Sequence, residues 1–138
     1  MHPHQLELLA PARDAEIGIE AIKHGADAVY IGGPAFGARY GAGNDVSEIK
    51  RLCDFAHRYR AKVFVALNTI LHDNELEGGR QLAWQLYDAG ADALIVDLED
   101  SVSIERKAEA RATALAFLRE TAKATQRPRL LVRVNALD

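Results

Sequence analysis

Charged residues gather where two aliphatic runs end. Asp97 and Glu99 follow the run Ala93 to Val96, with Asp100 beside them, and Arg133 and Asn135 close the run that starts at Leu130. Side chains alternate along an extended strand, so Asp97 and Glu99 share one face of theirs, and Arg133 and Asn135 share one face of the next. If those strands are neighbours, about 5 Å apart, both carboxylates come within reach of one guanidinium. Such a set could orient a carboxylate substrate through Arg133, move protons through Asp97 or Glu99, or hold Mg2+ on those two acids. It could equally be an ion-pair network that fills the mouth of a barrel. Asp100 suits a loop or helix-cap role.

Other polar residues fall at the ends of other runs. Asn68 closes the run Lys62 to Leu67, and His72 lies in the loop after it, as a base or as a solvated loop histidine. Glu7 lies inside the first aliphatic run, where a carboxylate needs a partner, and Arg133 and Arg39 are the available cations. The loop from Phe36 to Asn44 carries Arg39, Gly41 and Gly43. It lacks the Gly-Lys-Ser/Thr ending of a phosphate-binding loop and the Gly-x-Gly-x-x-Gly spacing of a dinucleotide site. It reads either as a plain glycine-rich turn or as a loop in which Arg39 meets an anion. The substrate-binding set expected from these positions is Arg39, Asn44, Asn68, His72 and Asn135. Cys53 shares an apolar helix stripe and suits packing. No serine stands beside a histidine and an acid, so the sequence names no nucleophile.

The elements that must position these groups alternate. Strands are expected at Leu6 to Leu9, Ala28 to Ile31, Lys62 to Leu67, Ala93 to Leu98 and Leu130 to Val134. The helices between them begin at Asp14, Asp45, Asn74 and Ser103, each a side chain able to cap a helix. Their apolar stripes are Ile17, Ala21 and Ile22; Ile49, Leu52, Cys53 and Ala56; Leu82, Ala83, Leu86 and Tyr87; and Ala108, Ala112, Leu115, Leu118 and Ala122. The strands lack a clean polar-out alternation, as expected when both faces are covered, and helical crossovers demand a parallel sheet. His24 to Val29 is echoed by Ala89 to Leu94 at an offset of 65 residues. That is two units of about 32 residues each. The expected fold is α/β: a partial (β/α)8 TIM-type barrel of about five parallel strands, with an open sheet as the alternative. Five strands do not close an eight-stranded barrel. Self-association or a missing C-terminal barrel half is therefore expected, and the ending at Asp138 reads as a truncation point.

Bulk properties narrow the class. The 138 residues are 49% hydrophobic and only 7% aromatic, so one domain with an aliphatic core is expected. A formal charge of -3 gives nucleic acid no bulk electrostatic attraction, and nucleic acid is not an expected partner, although a local basic patch could still recruit it. The lone Cys53 excludes an internal disulfide or a multi-cysteine metal site within the chain. No run approaches 18 apolar residues, so neither a signal peptide nor a membrane span is expected, and the location expected is cytoplasmic.

Two family resemblances meet in the chain. Residues 6–96 resemble the U32 peptidase-like family, on Leu6-Glu7-Leu8-Leu9-Ala10-Pro11-Ala12, Gly25-Ala26-Asp27-Ala28-Val29-Tyr30-Ile31-Gly32-Gly33, Val65-Ala66-Leu67-Asn68-Thr69 and Gly90-Ala91-Asp92-Ala93-Leu94-Ile95-Val96. Arg13 replaces the glycine that usually follows the family's opening Ala-Pro-Ala. The resemblance implies a peptidase or collagenase, or a protein supporting RNA-base or ubiquinone hydroxylation, whose characteristic cysteines lie further along than this chain reaches. Residues 90–138 resemble the HpcH/HpaI aldolase and citrate lyase beta-subunit family, on Asp97-Leu98-Glu99-Asp100-Ser101-Val102, Lys107-Ala108-Glu109-Ala110-Arg111 and Leu131-Val132-Arg133-Val134-Asn135. That resemblance implies Mg2+-dependent cleavage or formation of carbon–carbon bonds in acyl-CoA or 2-oxo acid substrates, with Asp97, Glu99 and Asp100 as the acidic strand-end motif and Arg133 orienting substrate. The expectation is a single partial barrel with a U32-like half, 1–89, and a lyase-like half, 90–138. Its expected activity is that of a U32-like domain or fragment without efficient catalysis alone, taking a small molecule or peptide. A magnesium-dependent lyase and a non-catalytic chimeric or engineered scaffold are the alternatives.

Overall fold

The computed structural model describes residues 6–34, 44–67, 76–99 and 102–135. Strands and helices alternate as β1 (Leu9–Ala12), α1 (Ala15–Lys23), β2 (Ala28–Gly32), α2 (Val46–Arg58), β3 (Lys62–Leu67), α3 (Leu76–Asp88), β4 (Ala93–Asp97), α4 (Lys107–Thr121) and β5 (Leu130–Arg133). All neighbouring strands are parallel, and their order in the sheet is the order of the sequence. An open doubly wound sheet reverses its strand order at a switch point, and no reversal occurs here. Right-handed crossovers without a reversal keep every helix on one face and curl the sheet around the other. The architecture is a partial (β/α) barrel.

The strand sequences sort themselves between the two faces. Val29, Ile31, Val63, Val65, Leu67, Leu94 and Val96 point to the helices and join Ile49, Leu52, Leu86 and Phe117 in one buried cluster. The alternate residues form the inner face, where Tyr30, Phe64 and Ile95 are half-buried and Leu131 is exposed. Asp97 has the same parity as Ala93 and Ile95, so it belongs to this inner face.

Helix starts follow the expected caps. Asp14 accepts from the Ile17 N–H at 3.0 Å, and Asp45 accepts from the Glu48 N–H at 2.9 Å. Helices α1 and α3 are followed by Gly25 and Gly90, each at φ +104°, a region a side chain rarely adopts. Two residues beyond each glycine stands an aspartate with a repeated task. Asp27 takes the Leu8 N–H on Oδ2 at 2.8 Å and gives its own N–H to the Leu8 carbonyl at 2.9 Å. Asp92 does the same to Val63, at 2.8 and 2.9 Å. The repeated Gly-Ala-Asp junction is thus a two-point clamp on the neighbouring strand, and it fixes register at the N-terminal rim.

Several expectations change, the α1 stripe among them, since Ile17 is 39% exposed and Ile19 is buried in its place. The first strand begins at Leu9 rather than Leu6 and includes Pro11. Leu8 accepts from Ala28, so the ladder's two-residue period directs Ala10 and Ala12 to β2 and turns the Pro11 nitrogen to the open edge, where a missing N–H costs nothing. Glu7 therefore lies before the strand, and its partner is Lys62, at 3.3 Å, rather than Arg133; Arg39 lies outside the described residues. Ser103 makes no side-chain cap and precedes a 3-10 turn, Ile104–Arg106, from which α4 continues. Helix α4 buries Ala110, Ala114, Phe117 and Thr121, whereas Leu115 of the expected stripe is 46% exposed. The two stripes lie about half a turn apart, and the aromatic ring decides which one packs. Asn74, expected to cap α3, lies outside the described residues.

Candidate active site at the C-terminal rim of the sheet

In such sheets the strand ends that follow the chain direction carry the working groups. Asp97 and Arg133 are register partners at the ends of β4 and β5. Arg133 Nε lies 2.6 Å from Glu99 Oε2, and its Nη1 lies 3.7 Å from Asp97 Oδ2. The Asp97 side chain is only 5% exposed, against 42% for Arg133 and 39% for Glu99. Asp97 also accepts from the Glu99 N–H at 2.8 Å, which turns the chain and holds the Glu99 backbone beside Arg133. The pattern is a buried carboxylate beneath a half-exposed guanidinium and a half-exposed second carboxylate.

Lys107 completes the cluster. Its ammonium donates to the carbonyls of Leu98 and Glu99, at 3.0 and 2.8 Å, and to Asn135 Oδ1 at 2.7 Å. Three acceptors use all three of its protons, so the first turn of α4 ties the tip of β4 to the tip of β5. A lysine in a first helical turn opposes the helix dipole. That misfit was the signal in the sequence that Lys107 has a specific partner.

Of the residues expected to act, Asp97, Glu99, Arg133 and Asn135 are brought together. Asn44 is at the same rim, just before α2, and its amide reaches the end of β2, which is two strand spacings from β4, or about 10 Å. Its amide nitrogen donates to the carbonyls of Arg13 and Gly32, both at 3.0 Å, and so stitches the first two strand ends together. Arg39, Asn68, His72 and Asp100 lie outside the described residues. For magnesium, Asp97 and Glu99 are faced by a guanidinium rather than by further acids, and no group of three His, Cys, Asp or Glu able to hold a metal ion occurs among the described residues. Cys53 is fully buried, and desolvation, with Asp92 nearby, pushes its thiol up to about 12. It packs, as expected, and supplies no thiolate nucleophile.

The model of peptidase family U32 matches residues 13–114. The chain belongs to peptidase family U32. The match runs past the boundary expected between 89 and 90, and nothing in the comparisons supports an aldolase or citrate-lyase segment. Asp97, Glu99 and Lys107 lie within the matched stretch; Arg133 and Asn135 lie beyond it. Among relatives, the U32 chain is 66% identical over 93 residues to the 23S rRNA 5-hydroxycytidine C2501 synthase of Escherichia coli, covering 67% of this chain and 14% of that protein. It is 40% identical over 91 residues to tRNA hydroxylation protein P1 of Bacillus subtilis, covering 65% and 22%. It is 35% identical over 92 residues to an uncharacterized protease of Methanocaldococcus jannaschii, covering 66% and 23%. The chain thus spans less than a quarter of each of these proteins. The relatives whose names state a modification are named for RNA hydroxylation. That corrects the expectations of a hydrolase, of a magnesium-dependent lyase, of a fragment or scaffold without catalysis, and of a partner set without nucleic acid. A net charge averages over the whole surface, so it does not exclude a local site for nucleic acid. Among the described residues no helix is long and apolar enough to cross a membrane.

Proposed function

We propose that this chain is part of an enzyme that hydroxylates a base of RNA, and that the C-terminal rim of its sheet is the part that meets the base. The observation that carries the reading is the 66% identity to the E. coli rRNA hydroxycytidine synthase over 93 residues. Glu99, Arg133 and Asn135 are the groups that face the substrate. Their donors and acceptors suit the polar edge of a pyrimidine, and Arg133 also suits a flanking phosphate. Asp97 is a positioning residue, buried beneath the guanidinium it holds. Lys107 is a second, holding the two strand tips at one spacing. Asn44 lines the other side of the same rim in this reading.

The test is an exchange. Residues 6–135 of this chain, which include Arg133 and Asn135, replace the β/α units of the E. coli synthase that contain its 93 matching residues, in cells lacking the native one, and 5-hydroxycytidine in 23S rRNA is measured by mass spectrometry. Restored modification is expected. A folded, stable hybrid that leaves the rRNA unmodified would contradict the reading.

A further inference from the structure

The chain's charge is unevenly distributed. The segment from Arg106 to Arg133 holds eight basic residues and two acidic ones, in a chain that carries 17 and 20 in all. Two of the eight, Lys107 and Arg133, belong to the C-terminal rim, and Arg106 lies 3.5 Å from Glu109. Four others, Arg119, Lys123, Arg127 and Arg129, run from the end of α4 into the start of β5 and are exposed. None of these four has a carboxylate partner among the described residues. Cations near a helix C-terminus favour its dipole, and Arg127 does so directly by donating to the Ala122 carbonyl at 2.6 Å. Arg129 lies past the helix, where that explanation ends.

The shape around these cations is grooved. One open groove, about 480 Å³, runs between the last turn of α4 and β5 and is lined by Leu118, Arg127 and Arg129. A second, about 420 Å³, runs between α3 and α4 and is lined by Arg80, Trp84, Glu120 and Lys123, with the Arg80 guanidinium paired to the Glu120 carboxylate. Thr121 borders both, so the two grooves adjoin at the end of α4 and together make a track flanking it. The Trp84 indole lies edge-on to Tyr87, with ring centroids 5.9 Å apart. It is the only tryptophan of the chain. A track of exposed cations with an aromatic ring in its wall is the form that binds a single nucleic-acid strand, cations on phosphates and the ring on a base.

We infer that this track, at the end of the sheet opposite the candidate active site, docks a single-stranded segment of RNA. The inference rests on the RNA reading above for its choice of polyanion. The positions divide the labour: the C-terminal rim meets the reacting base, and the α3–α4 track holds a flanking strand through contacts that carry no sequence information.

The test uses the chain itself and a fluorescein-labelled single-stranded RNA of about 20 nucleotides, followed by anisotropy at several salt concentrations. Binding is expected at about 50 mM salt, weakening as salt rises. The triple variant R119Q/K123Q/R129Q leaves the Arg127 cap in place and should bind at least tenfold more weakly. Its slope of log affinity against log salt should be shallower by about 0.7 for each phosphate that is no longer neutralised. Trp84→Leu should weaken binding several-fold without changing that slope. Lys23→Gln with Lys50→Gln, exposed cations on α1 and α2, should change neither. Absence of binding at low salt, full binding by a triple variant that melts normally, or an equal loss in the α1/α2 control would overturn the inference. So would equally tight binding of polyglutamate through the same residues, which would assign the track to an acidic protein. A hybrid synthase that still modifies rRNA while the triple variant binds RNA normally would remove this inference alone.

Discussion

The two rims of the sheet are built on opposite plans. At the N-terminal rim, Asp27 and Asp92 repeat one geometry at an offset of 65 residues, each carboxylate taking a backbone N–H of the neighbouring strand. At the C-terminal rim the repeat breaks. The positions that match Asp97 and Glu99 at that offset are Gly32 and Pro34. There the carboxylates meet a side-chain cation from another element, Arg133 on β5, while Lys107 on α4 donates to the backbone carbonyls of Leu98 and Glu99 and to Asn135 Oδ1. The comparison teaches where each pressure acts. A carboxylate bonded to a backbone amide sets register wherever it recurs, so duplication preserves it. Side chains set against side chains can be re-cut for a substrate without moving the strands.

Helix α4 joins the two rims, and its packing is the first place to break the comparison. Phe117→Ala should lower the unfolding free energy by about 3–5 kcal/mol in urea titrations, whereas Leu115→Ala should change it by less than about 0.5 kcal/mol. The reverse order would restore the expected stripe through Ala112 and Leu115. At the N-terminal rim, Asp92→Ala strands the Val63 N–H and removes a 2.8 Å contact to His57 Nε2. It should cost about 2 kcal/mol, with Asp27→Ala smaller because its site is more exposed. Equal effects would mean that burial does not separate the two clamps.

The helix caps give a smaller, pH-dependent signal. The Ile17 N–H, chiefly, holds the Asp14 carboxyl below its ordinary range; the Ser47 hydroxyl and the Glu48 N–H do the same to Asp45. A lowered folded pKa stabilises above the unfolded value and is lost as pH falls through the folded one. The double variant D14A/D45A should therefore melt lower at neutral pH, and its difference from the parent should shrink as pH falls from about 4 to about 2 in circular dichroism melts. A difference that stays constant across that range would exclude the ionised caps as its source. The smallest effect is chemical: Cys53, pushed up to about 12, should react with a thiol reagent at neutral pH only as fast as the chain unfolds.

Much of the arrangement was legible in the residues. The five aliphatic runs, the Asp14 and Asp45 caps, the glycine stops and the meeting of Asp97 and Glu99 with Arg133 all follow from local chemistry and strand parity. The phase of α4 did not, because Ala108-Ala112-Leu115 and Ala110-Ala114-Phe117 have the same spacing, and alanine marks a buried face weakly. The start of β1 was hidden by Pro11, which ends a central strand but not an edge. The role of Lys107 depends on two strand tips that only the fold brings together. The basic track was hidden by a charge balance summed over the whole chain.

One paired measurement bears directly on the division between the rims. In the hybrid synthase, Asp97→Asn and Asp92→Asn are compared for 5-hydroxycytidine in 23S rRNA and for melting temperature. Asp97→Asn should lower modification at least tenfold while the melting temperature moves by only a few degrees. Asp92→Asn should lower the melting temperature and leave the modification of the remaining folded protein intact. Loss of modification in proportion to loss of stability in both variants would contradict the account.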